Sequence, residues 1–85
     1  HLSTPAPNPA AGSATVSLRV KESAEVTVAL YNVLGRRVKT LFRGTPPGGQ
    51  TETVSIPVGM LSSGVYFVRM EADGRTRTER LTVLR

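Results

Sequence analysis

His1 is the single imidazole of the chain, and cysteine is absent. General acid–base catalysis most often relies on a positioned histidine, and the common zinc sites combine His and Cys. Neither chemistry has its residues here, so no metal and no cofactor are expected. Glu71 and Asp73 stand close together but flank an Asp-Gly reversal, where both read as solvated charges. Glu22 and Glu25 fall in a turn and at a strand edge, without a partner acid or base. The glycine-rich stretch Gly44-Thr45-Pro46-Pro47-Gly48-Gly49 lacks the Lys-Ser/Thr ending of a phosphate cradle and reads as a stiff turn. The chain is therefore expected not to be an enzyme.

Binding chemistry is the next possibility. Eleven basic residues against six acidic ones give a formal charge of +5, and nine of the eleven are arginine. That balance permits contact with nucleic acid or anionic lipopolysaccharide. The basic residues are dispersed, however, and no nucleic-acid motif accompanies them, so an ordinary solvated surface is the simpler reading. A sugar or single-stranded nucleic-acid platform needs a row of exposed rings. The aromatic residues are only Tyr31, Phe42, Tyr66 and Phe67, with no tryptophan. Tyr31 and Phe67 are expected on outer faces; Tyr66 reads as core, its hydroxyl reaching a polar partner.

These side chains are held by strands. Leu61 to Ala72 organises the chain: Ser62, Ser63 and Gly64 release a strand with Tyr66, Val68 and Met70 on one face. Asp73-Gly74 then offers a two-residue reversal, since both residues accept positive φ. That register sets Ala72 opposite Arg75 and Tyr66 opposite Leu81. Tyr66, Val68, Met70, Leu81 and Val83 share one apolar face, and Glu79 falls beside Val68. A type I turn with a bulged Gly74 would slip the pairing by one residue.

Upstream, Val16, Leu18 and Val20 alternate with polar residues, as do Val26, Val28 and Leu30. Asn32-Val33-Leu34-Gly35 has the residues of a type I turn. In the strand from Arg36 to Arg43, Val38 and Leu41 are three apart, which predicts a bulge or bend. Gly44 to Gly49 is expected as an exposed loop. Val54 and Ile56 mark another strand, which Pro57 ends. Leu61 plugs the core after a short connector. Six strands without a convincing helix predict an all-β, antiparallel sandwich. Residues 1–12, rich in Pro, Ser, Thr and Ala, read as a linker from a preceding domain, and residues 13–85 as the sandwich. There is no signal peptide and no apolar run near the ~18 residues of a membrane span. With His1 rather than Met at its start, the chain is expected to be an excised piece of a longer protein.

The order of these features carries a resemblance. Pro7-Asn8-Pro9 precedes an alternating strand, and Val28 to Val38 contains the Tyr31-Asn32-Val33-Leu34-Gly35 turn. Leu61-Ser62-Ser63-Gly64-Val65-Tyr66-Phe67-Val68-Arg69 follows, and the chain closes with Arg80-Leu81-Thr82-Val83-Leu84-Arg85. From residue 7 to 85 this resembles the C-terminal sorting domain, type A, of type IX (Por) secretion cargo. Ala6 departs from the aromatic residue often found before Pro-Asn-Pro, and Asn32 replaces a common Asp. The immunoglobulin-like module of flagellar hook-capping proteins has similar patterns.

The resemblance implies an immunoglobulin-like β-sandwich of about six to seven strands that acts as a non-catalytic secretion signal. Its cargo, attached on the N-terminal side, would cross the periplasm and finish at the cell surface or in the medium. The implied partners are the outer-membrane translocon and a sortase-like protease; neither nucleic acid nor membrane insertion is implied. Translocon recognition is expected at Arg80, Leu81, Thr82, Val83, Leu84 and Arg85, because a receptor can dock on an exposed strand edge. Asn32, Gly35, Gly64, Tyr66, Asp73 and Gly74 are the structural motif. The competing readings are a carbohydrate- or cell-surface-binding accessory module of a multidomain secreted enzyme, and a plain spacer.

Overall fold

Alternating β-branched and polar residues produce six strands in the computed structural model, which describes residues 1–84. They are β1 (Ala14–Arg19), β2 (Val26–Asn32), β3 (Arg37–Gly44), β4 (Thr51–Ile56), β5 (Gly64–Ala72) and β6 (Arg75–Val83). A single 3-10 turn, Val58–Met60, sits between β4 and β5. β1 pairs with β4, and the other four strands form a sheet in the order β3-β2-β5-β6, all antiparallel. The architecture is the all-β sandwich that the alternation predicts. No described helix is long and apolar enough to cross a membrane.

The β5–β6 hairpin has the first of the two expected registers. Ala72 pairs with Arg75 and Tyr66 with Leu81. Asp73 (φ 53°) and Gly74 (φ 74°) both lie in the left-handed region, the combination that a two-residue turn between twisted strands requires. Val68, Met70, Leu81 and Val83 are buried beneath it, and Glu79 pairs with Val68 at the partly shielded margin. The opposite wall of the core comes from Val16, Leu18, Val54 and Ile56, with Val26, Val28 and Leu30 beside β5. Leu61 is buried where the chain enters β5, as its position after the turn predicts. Burying an aliphatic side chain of this size contributes about 1.5–3 kcal/mol, so this layer is the main source of stability in a chain without disulfides.

β3 carries two irregularities. The pairing with β2 skips one residue at Leu41 and another at Val38. The three-residue spacing of these apolar positions is thus explained by bulges, each of which inserts an unopposed residue and twists the edge.

Two segments differ from the sequence expectation. Residues 1–12 are packed against the sandwich, not held away from it as a linker would be. His1 to Ala6 runs along β1: Ser3 N donates to Ser17 O (2.8 Å), and Ala6 and Thr15 exchange backbone bonds of 3.0 and 2.9 Å. Leu2, Pro5 and Ala10 are buried. The chain then crosses to the other sheet, where Ala10 pairs in parallel with Val83. A hydrophobic period is missing because each sheet is contacted for only a few residues. Pro5, Pro7 and Pro9 need no partner for an amide hydrogen they lack.

The Gly44–Gly49 loop is mostly exposed, but Pro46 is buried and Gly49 N donates to Val20 O (2.8 Å). A Cβ at Gly48 would lie 2.5 Å from Lys21 O. The missing side chain at Gly48 lets the loop lie this close to the β1–β2 connector.

Candidate sorting and docking surface

The four-stranded sheet has an inner face in the core and an outer face open to solvent. One cross-strand rung on the outer face reads Arg80, Phe67, Tyr31, Arg37, from β6 across to β3. Arg69, one rung along on β5, lies over the Tyr31 ring with its guanidinium carbon 4.2 Å from the centroid. Its Nη2 donates to the Tyr31 hydroxyl (2.8 Å), and Arg37 Nη2 donates to the same oxygen (3.1 Å). Arg69 Nε stands 3.1 Å from Glu71 Oε1, an ion pair without a well-aimed hydrogen bond. The Arg37 hydrogen bond stabilises the phenolate most; burial opposes it, and the Arg69 hydrogen bond with the charge of both guanidiniums leaves the Tyr31 pKa below its ordinary value. Tyr31 and Phe67 do lie on the outer face, partly buried. The guanidinium over Tyr31 ties this ring into a charged network instead of leaving it bare for stacking.

The expected structural residues each have a local task. Asn32 Oδ1 accepts from Leu34 N (2.9 Å) and Arg36 N (3.1 Å), while Gly35 N donates to Asn32 O (3.0 Å). Gly35 completes this turn at φ 79°, where a side chain would be strained. The turn presents Val33 and Leu34 at its exposed tip. Tyr66 packs beside the core, and its hydroxyl donates to Ser62 O (2.9 Å), tying β5 to the turn that releases it. Gly64 opens β5 at φ 152°.

The last strand is less open than its position suggests. Asn8 Nδ2 donates to Arg80 O (2.9 Å), and Asn8 Oδ1 accepts from Thr82 N (3.0 Å). Ala10 N donates to Thr82 O (2.8 Å), and Leu84 N donates to Ala10 O (2.9 Å). The amide of Asn8 thus imitates a strand backbone and, with Ala10, closes the edge from Arg80 to Leu84. Leu81 and Val83 are fully buried, Arg80 and Leu84 are exposed, and Thr82 is intermediate. Arg85 lies outside the described residues. Asn8 was visible within Pro7-Asn8-Pro9, but nothing in its type or spacing tells a loop residue from a clamp on a strand seventy-two positions away.

Among the described residues no group of three or more His, Cys, Asp or Glu could hold a metal ion. Residues 6–84 match the family described as the secretion system C-terminal sorting domain. The chain belongs to this family. The match spans both sheets and the Asn8 clamp, so the whole sandwich is the sorting-domain unit. The type IX resemblance of the sequence is thereby established, and with it the role of a sorting signal: a cargo protein carrying this domain passes through the type IX machinery toward the cell surface or the medium. No curated protein matches the chain.

Proposed function

We propose that the sorting domain is read while folded by the outer-membrane type IX translocon, and that it acts as an address label with no chemistry of its own. Cleavage, where it occurs, is the work of a separate sortase-like protease, and the released or attached cargo ends at the cell surface or in the medium. The observation that carries this reading is the family match over residues 6–84, which include all six strands. Recognition is proposed at residues 80–85, through side chains. The backbone edge from Arg80 to Leu84 is already bonded to Asn8 and Ala10, which leaves Arg80, Thr82 and Leu84 to be presented.

The test is a fusion of residues 1–85 to a periplasm-targeted fluorescent protein, expressed in a type IX host and in its translocon-null strain. Export in the first strain only is expected. Retention in both strains, with the domain folded, would refute the sorting role for this chain. Deleting residues 80–85 would be ambiguous, because it removes Leu81 and Val83 from the core. Arg80→Glu is the cleaner variant: its side chain is exposed, so folding is retained. Export should fall; unchanged export would remove Arg80 from the recognition surface.

A further inference from the structure

The outer edge of β6 is divided in two. Arg80 O, Thr82 N, Thr82 O and Leu84 N point away from β5 and are taken by Asn8 and Ala10. The alternation of an antiparallel ladder then aims the backbone groups of Thr76 and Thr78, together with Arg80 N, in the same direction. None of these has a backbone or side-chain partner among the described residues. The covering segment leaves the edge near Glu79, whose Oε1 accepts from Thr4 Oγ1 at 3.3 Å. Half an edge strand is closed and half is open.

The open half borders a cleft. β5 and β6 are nine residues each, whereas β1 and β4 are six, so the hairpin tip overhangs the smaller sheet. Under the overhang lies a cleft of about 1120 Å³ with Val20, Ala24, Met70 and Ala72 among its lining. Arg75 and Arg77 belong to the inner-facing set of β6, with Leu81 and Val83, and line the cleft where no core covers them. Arg19 and Lys21 line it as well. Glu22 and Asp73 are the acidic members of the lining, yet no described ion pair involves any of the four cations.

We propose that this open half-edge receives an extended acidic peptide segment as an added strand, its inward carboxylates meeting Arg75 and Arg77 in the cleft. Main-chain bonds to an exposed edge supply affinity, and alternate side chains supply specificity. Charge complementarity selects the occupant. A second copy of this chain paired through the same edge would set its own arginines against these. A glycan finds no Tyr, Phe or Trp ring in the cleft lining. The proposal is independent of the sorting role.

The test uses the 85-residue chain and a labelled peptide of roughly eight residues alternating Glu and Thr, a little longer than a typical strand. Binding is followed by fluorescence and by backbone amide NMR. Saturable binding is expected, weakening as salt rises. The amides of Thr76, Thr78 and Arg80 should shift and gain exchange protection. The Arg75→Glu/Arg77→Glu double variant should lose at least about tenfold in affinity, a change of ~1.4 kcal/mol. It should also gain affinity for the matching Lys/Thr peptide. N-methylation of alternate peptide amides keeps the charge, removes the donors and should abolish binding without touching the protein. Equal binding of the Lys/Thr peptide by the unaltered chain would overturn the proposal. So would indifference to charge reversal or N-methylation, amide shifts centred elsewhere, or no binding at all.

Discussion

Replacing Asn8 with Ala tests whether residues 7–10 are part of the fold or merely lie on it. The side chain makes two neutral hydrogen bonds, to Arg80 O and from Thr82 N, at 2.9 and 3.0 Å. A neutral hydrogen bond contributes ~0.5–1.5 kcal/mol net, which sets a range of about 1–3 kcal/mol for the pair. Both bonds lie at an exposed edge, so water can replace the lost partner and the full desolvation cost is not incurred. The expected loss is therefore about 1–2 kcal/mol, or roughly 5–15 °C in Tm for a domain of this size. Urea unfolding should show a lower midpoint with an unchanged slope. Amide exchange at Thr82 should accelerate. Asn8→Asp provides a partial control, since it retains the acceptor for Thr82 N and loses the donor to Arg80 O. A change in Asn8→Ala within the ~0.5 kcal/mol usual for surface substitutions, with exchange at Thr82 unaltered, would refute the clamp.

Tyr31→Phe removes the hydroxyl shared by Arg37 and Arg69. Because the folded-state pKa of Tyr31 lies below its ordinary 10.0, native protein gives up the phenol proton before unfolded protein does. Its contribution is complete above pH 10.0 and is lost as pH falls through the lowered value. The stability difference between wild type and Tyr31→Phe should thus widen as pH rises toward the ordinary phenol value of 10.0 in urea titrations; a constant difference would contradict the coupling. Gly48→Ala places a Cβ 2.5 Å from Lys21 O and 2.9 Å from Glu22 Cα, both backbone atoms. It should cost about 1–3 kcal/mol in urea unfolding. Gly12→Ala, with nothing within 4 Å, should cost less than about 0.5 kcal/mol.

What could be read from the sequence was local or periodic. The Asp73-Gly74 turn fixes its own register, because both residues tolerate positive φ and the two flanking strands then pair by counting. The spacing of Val38 and Leu41 announced irregularity in β3 for a similar reason: a break in period two has few physical remedies. Asn32 and Gly35 announced a turn through their own side-chain and backbone preferences. Pairings between distant segments had no comparable signal. Asn8 looks like any loop asparagine until β6 is beside it, and Pro46 looks like loop proline until the Lys21 connector packs against its loop. The segment proposed for recognition, residues 80–85, was only half legible. Its alternation revealed Leu81 and Val83 as core, but a terminal strand is also the natural choice for an open edge, and Asn8 and Ala10 had already closed most of it.

Every strand edge must be paired, covered or made unattractive, since unpaired amides and carbonyls invite other chains. This domain uses a different device on each of β1, β3 and β6. His1 to Ala6 lies along β1. β3 is bent by two bulges and carries Arg37, Lys39 and Arg43. Asn8 and Ala10 cover β6 from Arg80 to Leu84. The outer edge from Arg75 to Thr78, on the side away from β5, has charge alone as protection, because no described segment covers it. Arginine deters like-charged strands but attracts acidic ones, so the protection is selective. A sorting signal that must remain unaggregated and still meet other proteins gains from an edge closed to its own copies and open to one class of partner. Neutralising Arg75 and Arg77 together should therefore do more than weaken peptide binding. It should also promote self-association at this edge, which light scattering would detect and which Asn8→Ala, at the other half of the same strand, tests independently.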